Sequence, residues 1–161
     1  LGVGKANAQF GTHRFGAGTG LGVAAVTGGG SAFAYNGKFV YEYNFKKKYF
    51  LNTGLGLDLW GCNGCHSLYM TIPAHVGTRW NVLQKKMYVF ADAGPQFAIG
   101  LVGSNSYFNF GARRFDLGLG CRAGIDVGFA QIYFNFNGGL LKVNPAGGHN
   151  IDFQCNINYM F

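Results

Sequence analysis

Cys62-Asn63-Gly64-Cys65-His66 is the stretch of this chain whose side chains could most readily do chemistry. C-x-x-C-H is the pattern by which c-type haem is attached. The same two thiols could instead hold a metal or close a disulfide. The letters between them favour a plainer use. Asn-Gly is the strongest two-residue hairpin signal, and pairing 62 with 65 also pairs 60 with 67 and 58 with 69. Such a turn leaves no pocket around His66. The expectation is a tight hairpin with neither cofactor nor metal, open to a Cys62–Cys65 disulfide in an oxidising compartment. Cys121 and Cys155 fall on the apolar parity of non-adjacent strands and read as unpaired fillers.

Nucleophilic catalysis would need a serine, a histidine and a carboxylate that converge. Ser31, Ser104, Ser106 and His149 fall in predicted loops, and His66 and Ser67 beside the hairpin, with no carboxylate at a recognisable spacing. GAGTGLG (16–22) has the letters of a nucleotide fingerprint but opens no helix. The chain reads as a non-enzyme. What remains is ion pairing. The six acidic residues are Glu42, Asp58, Asp92, Asp116, Asp126 and Asp152, and Arg14, His75, Arg79, Arg114 and Arg122 share their strand parity.

Parity matters because the elements that carry these groups read as strands. Alternating apolar and polar residues recur about eight times, near 13–25, 36–46, 49–61, 66–82, 87–102, 113–128, 131–143 and 150–161. FVYEYNF (39–45) and the final IDFQCNINYMF (151–161) are clear cases. KKK (46–48), LQKK (83–86) and FA (129–130) mark turns at one end. GGGSAFAYN, CNGC, GSNSYFNFGA and NPAGGHN connect strands at the other, most of them longer. No linker or composition shift divides the 161 residues, so one domain is expected over 1–161.

Composition says where the oily face goes. Hydrophobic residues make up 48% and aromatics 17%, but only 12% are charged, against roughly 25% in soluble domains. A soluble protein so poor in charge would not stay dispersed. The polar face is rich in glycine (Gly16, Gly18, Gly20, Gly54, Gly56, Gly118, Gly120 and Gly124), which suits a crowded lumen in which small residues make room for long ones. Apolar-out, polar-in alternation over strands of about ten residues is the pattern of an outer-membrane barrel. The fold expected is all-β: an eight-stranded antiparallel up-and-down transmembrane β-barrel.

Three short motifs add a resemblance. YMTIPAHVGTRW (69–80), with its Ile-Pro, VFADAGPQFAIG (89–100), with its Ala-Gly-Pro, and the terminal Tyr159-Met160-Phe161 resemble the small bacterial outer membrane protein beta-barrel family, with its OmpX-like and PorT-like members. The resemblance implies the outer membrane of a Gram-negative bacterium, with lipid and lipopolysaccharide around the barrel. It implies that Tyr159 and Phe161 are read by the barrel-assembly machinery during insertion. It also implies that Pro73 and Pro95, which would otherwise interrupt central strands, mark bulges.

Further expectations concern charge and ends. The net charge is +7, and Lys46, Lys47, Lys48, Lys85 and Lys86 cluster in turns assigned to the periplasmic side, where anionic headgroups or an acidic partner could meet them. The aromatics follow strand parity and line no basic groove, so no nucleic acid is expected. Ala6-Asn7-Ala8 resembles a signal-peptidase site, and 1–12 reads either as a periplasmic tail or as a signal-peptide remnant. In the lumen, a four-residue turn at 83–86 sets Asp92 opposite Gly77, with His75 and Arg79 as its diagonal partners. Arg14, Arg114 and Arg122 are expected to neutralise Glu42, Asp58, Asp116, Asp126 and Asp152.

Three functions fit such a barrel. One is a non-conducting structural anchor or accessory subunit of a larger outer-membrane assembly. The others are a narrow channel and an external ligand-binding or adhesive barrel. For an external partner the best contact surface is the loop 104–114, with Tyr107, Phe108, Phe110 and Arg113.

Overall fold

The structure, a computed structural model, describes residues 12–161 apart from 29, 47, 63–64, 84–85, 104–113 and 143–147, with the backbone alone at 61–62 and 65–66. Eight antiparallel strands follow one another around a closed barrel: β1 His13–Val26, β2 Ser31–Asn44, β3 Tyr49–Cys62, β4 Cys65–Leu83, β5 Met87–Gly103, β6 Phe115–Asp126, β7 Ala130–Gly139 and β8 Asn150–Met160. β1 closes the ring on β8, from Gly16↔Met160 to Val26↔Asn150. Closure leaves no free edge, so every strand can satisfy its backbone on both sides, as hydrocarbon requires. Thr12 and Phe161 extend the ladder, since the Thr12 carbonyl accepts from Asn44 N at 2.8 Å and Phe161 exchanges bonds with Phe15 at 2.8 and 3.2 Å. Thr12 therefore belongs to the barrel, and only 1–11 of the expected tail lie outside the described residues.

Alternation decides the faces. Phe39, Leu55, Val76, Phe97, Leu119, Phe134, Phe153 and Tyr159 are exposed on the outer wall, while most of their neighbours in sequence are buried within. Cys121 and Cys155 are free and exposed on that wall. Phe161, 70% exposed, lies beside Tyr159 with ring centroids 6.3 Å apart.

Four sequence expectations need correction. β2 begins at Ser31, so most of GGGSAFAYN is strand and the β1–β2 connection shrinks to 27–30, where Gly28 takes a φ of 76° that its lack of Cβ allows. β7 ends at Gly139 rather than 143. At Pro73 and Pro95 there is no bulge: pairing runs from Pro73↔Gln96 to Val76↔Ala93 and through Pro95↔Leu119 in constant register. A proline removes one donor but adds no residue, so the ladder lapses without slipping. The register shifts in β4 and β5 fall at Leu68/Tyr69 and Asn81/Leu83. The fourth correction concerns the lumen arginines, Arg114 in its place and Arg14, Arg79 and Arg122 in their partners. At the tip of β3–β4 the backbone pairs Cys62 with Cys65 and Gly61 with His66, as a two-residue hairpin requires. The thiols, and so the disulfide expectation, lie outside the described side chains.

One end of the barrel carries the connections 45–48, 84–86 and 127–129 together with Thr12 and Phe161, the first and last described residues; the other carries the 104–114 and 140–149 connections. With the short-turn end in the periplasm, chymotrypsin added to intact cells should cut within 104–112, where Tyr107, Phe108 and Phe110 lie, and amine-reactive biotin should leave Lys46 and Lys48 untouched. The reverse pattern would invert the orientation.

Candidate functional site

The inward positions build a plugged lumen in layers. At the short-turn end Glu42, with no exposed surface, is the hub. Its Oε1 accepts from Arg14 Nη1 at 3.0 Å and Arg79 Nη2 at 2.8 Å, and its Oε2 from Gln131 Nε2 at 2.7 Å. Asp126 shares the same donors, with Arg14 Nη1 at 2.8 Å, Gln131 Nε2 at 3.0 Å and Arg79 Nη2 at 3.8 Å. Arg14 Nη2 also reaches the carbonyl of Gly128 at 2.5 Å, and Arg79 Nη1 the amide oxygen of Asn44 at 2.8 Å. Two guanidiniums thus face two carboxylates, and β1, β2, β4, β6 and β7 meet at one point.

An aromatic layer covers this cluster. Phe50, Phe90 and Tyr133 are buried and pack edge to face, Phe50 to Phe90 at 6.1 Å and Phe90 to Tyr133 at 5.8 Å. The Arg79 guanidinium lies 4.2 Å from the Phe50 ring centroid below, and Arg122 lies 5.0 Å from that of Tyr133. Such contacts help to hold a desolvated cation. Glycine makes the space. A Cβ on Gly77 would stand 2.5 Å from both Phe50 Cζ and Asp92 Cβ, and one on Gly120 would stand 2.8 Å from His75 Nε2.

Beside that layer Arg122 grips Asp92 with two charge-assisted bonds, Nε at 2.8 Å and Nη2 at 2.6 Å, while His75 Nδ1 lies 2.9 Å from Asp92 Oδ1. Gly77 stands opposite Asp92, and His75 is its partner, as the register expectation has it. Arg79 is not: it reaches across to Glu42, and Arg122 on the adjoining strand, directly opposite Asp92, takes its place.

Toward the long-loop end the acids change their company. Asp58 accepts from Thr71 at 2.5 Å and Gln154 at 3.5 Å, Asp152 from Asn137 at 2.8 and 3.1 Å, and Asp116 from Asn150 at 2.8 Å. Asn36 donates to Gln154 and, at 2.9 Å, to Asn156. These partners are neutral amides and a hydroxyl rather than the expected Arg14 and Arg122. The reason is height: both arginines lie toward the short-turn ends of β1 and β6, while Asp58, Asp116 and Asp152 lie near the opposite ends of theirs. Arg114 is exposed just before β6 and does not enter the lumen, because β6 starts one residue later.

Sequence reasoning missed Lys38, which shares the inward parity of Asn36 and Glu42 on β2, with Nζ 5.2 Å from the Tyr133 centroid. It also missed the inward Phe50, Phe90 and Trp60, whereas the amide row of β8 was legible as the polar letters of 151–161. Parity alone would have found all of them. The loop residues Tyr107, Phe108, Phe110 and Arg113 lie outside the described residues, as do Ser104 and Ser106. Of the serines and histidines weighed for catalysis, Ser31 opens β2, Ser67 Oγ faces the Trp60 carbonyl at 3.5 Å, and His149 Nδ1 faces the Gly139 carbonyl at 3.1 Å.

Two small cavities remain among these groups. One, of about 20 Å³ measured as the space open to a water's centre, lies between Trp60, Asp116, Asn137 and Asp152. The other, about 30 Å³ by the same measure, lies between Lys38, Asp58, Thr71 and Asn135. Each has room for about one or two waters.

No family model and no curated protein matches this chain. Solved structures do match it. Neisserial surface protein A aligns with a TM-score of 0.65 at 13% identity, over 94% of this chain and 98% of that one. Ail, the attachment invasion locus protein of Yersinia pestis, gives 0.54 at 12% identity over 92% and 97%. The outer membrane protein OprG from Pseudomonas aeruginosa gives 0.54 at 10% identity over 93% and 96%. What the chain shares with them is the fold of small outer-membrane β-barrels.

Asp92→Ala would leave Arg122 buried without its carboxylate. In a urea titration of the folded barrel in detergent it should cost about 3–5 kcal/mol. A loss below about 1 kcal/mol would mean that water already solvates the pair.

Proposed function

We propose that the protein is a non-conducting integral barrel of the Gram-negative outer membrane, serving as an anchor or accessory subunit of a larger assembly there. The plugged lumen carries this reading. Eight strands enclose a space that side chains can fill, and here ion pairs, the five buried rings of Phe50, Trp60, Tyr69, Phe90 and Tyr133, and amide ladders occupy it, leaving cavities of about 20 and 30 Å³. The exposed aromatic and aliphatic belt supports residence in hydrocarbon. The likeness to outer-membrane barrels supports the choice of membrane. The motifs at 69–80, 89–100 and 159–161 support an OmpX-like or PorT-like affiliation.

A second reading, external ligand binding or adhesion, is favoured by the aromatic and basic letters of 104–114. It is compatible with a closed lumen; a channel is not. Purified protein in planar bilayers should give no discrete conductance steps, and affinity purification from native outer membranes should recover an envelope protein in fixed stoichiometry. Steady unitary conductance would contradict the proposal. Conductance-silent protein that comes through purification alone would favour the external-binding reading.

A further inference from the structure

The lipid-facing wall carries a dent. Register places Thr78, Ala91, Ala123 and Phe134 in one row across β4 to β7, and Val76, Ala93, Cys121 and Phe136 in the next. The four central side chains end at Cβ or Sγ, while Val76 stands on one side and the two phenylalanines on the other. The result is an apolar trough of about 710 Å³ on the outside of the barrel. By the measure that gives the lumen cavities room for a water or two, the trough is large enough for acyl-chain segments.

A basic rim lies below it. Tyr49, at the trough's edge, pairs with Thr78, and the carbonyl of the preceding Lys48 accepts from Arg79 N at 2.8 Å. Lys46 closes that turn on Tyr49, and Lys86 closes the neighbouring one on Leu83 at 2.7 Å. All three lysines are exposed. Ala91 and Ala93 lie five and seven residues beyond Lys86. At about 3.3 Å per residue and a tilt near 40°, that is about 13–18 Å along the membrane normal. Half the hydrocarbon thickness is about 15 Å, so a phosphate at the lysines would carry its acyl chain into the trough.

We infer that the trough and Lys46, Lys48 and Lys86 form one binding site for an anionic diacyl phospholipid of the leaflet at the short-turn end. The inference rests on the membrane-spanning reading above. A second copy of the chain is the poorer occupant. Two barrels related by a two-fold along the membrane normal would bring their lysine rims together at the same height, where like charges repel. An anionic headgroup meets the opposite field.

Native mass spectrometry of the folded barrel in mild detergent, given equal phosphatidylglycerol and phosphatidylcholine, tests this. Heat-modifiable gel migration first establishes that each variant is folded. The wild type should retain phosphatidylglycerol in preference. Lys46→Gln, Lys48→Gln and Lys86→Gln should each weaken that preference, by up to roughly fivefold per lysine. Ala93→Phe, an outward change that fills the trough, should cut phosphatidylglycerol retention to the phosphatidylcholine level. Unchanged retention in Ala93→Phe, unchanged preference in the lysine variants, or a wild-type dimer cross-linked through Cys121 would each overturn the inference. Failure of the wild type to insert into bilayers would remove the membrane reading with it, whereas insertion with unselective lipid retention removes the inference alone.

Discussion

A carboxylate with no access to solvent must be neutralised where it stands, and Glu42 is the point on which this barrel's interior depends. Stripping a charge of water costs several kcal/mol even after relaxation, and only close, hydrogen-bonded partners repay it. Glu42 has three, from β1, β4 and β7, and Asp126 on β6 shares the hydrogen bonds of Arg14 and Gln131. The strand ladder joins only neighbours around the ring. This cluster also ties together strands that never pair, β4 and β7 to β2 and β1 to β6, and so fixes the cross-section of the closed end.

The other layers are arranged around that constraint. Phe50 and Tyr133 lie against the guanidiniums of Arg79 and Arg122, so each cation has an aromatic face where water would otherwise be needed. Glycines at 77 and 120 stand where a Cβ would collide with Asp92, Phe50 or His75, so the pale glycine stripe and the bulky plug are one feature. Beyond them the lumen passes from guanidinium–carboxylate pairs to carboxylates held by amides, with Lys38 between the two regimes. The interior therefore has a polarity along its axis that the alternation of the strands does not contain.

Much of this was legible in the letters. Period-two alternation placed most strand ends within a residue or two, because one wrong step would turn every phenylalanine inward. It failed at 31–35, where Ser and Ala give a faint signal behind three glycines although Phe33 and Tyr35 keep the outward parity. It also failed past Gly139, where Leu140 and Leu141 look like more strand. Inwardness was readable for ten of the eleven charged residues assigned to the lumen, all but Arg114. Partnership was not. Register predicts neighbours on adjoining strands, and it served for His75 and Asp92, which sit on paired strands. Arg79 spans the lumen to β2, a contact set by side-chain length and by the Phe50 ring beneath it, and neither is written in the ladder. Lys38 was passed over for a different reason: attention went to the lysines of the turns at 46–48 and 85–86, and composition by element hid the one inside a strand.

The central claim is that the Glu42 cluster acts as a unit, a dry cross-tie rather than a set of separately hydrated charges. A double-mutant cycle on Glu42→Gln and Arg79→Met, read from unfolding of the barrel in detergent, addresses it most directly. Coupled groups should give an interaction energy of about 1–3 kcal/mol, the double variant losing much less than the two single losses combined. Additivity within about 0.5 kcal/mol would mean that water already screens these charges, and the account of a plugged lumen held by its ion pairs would fail.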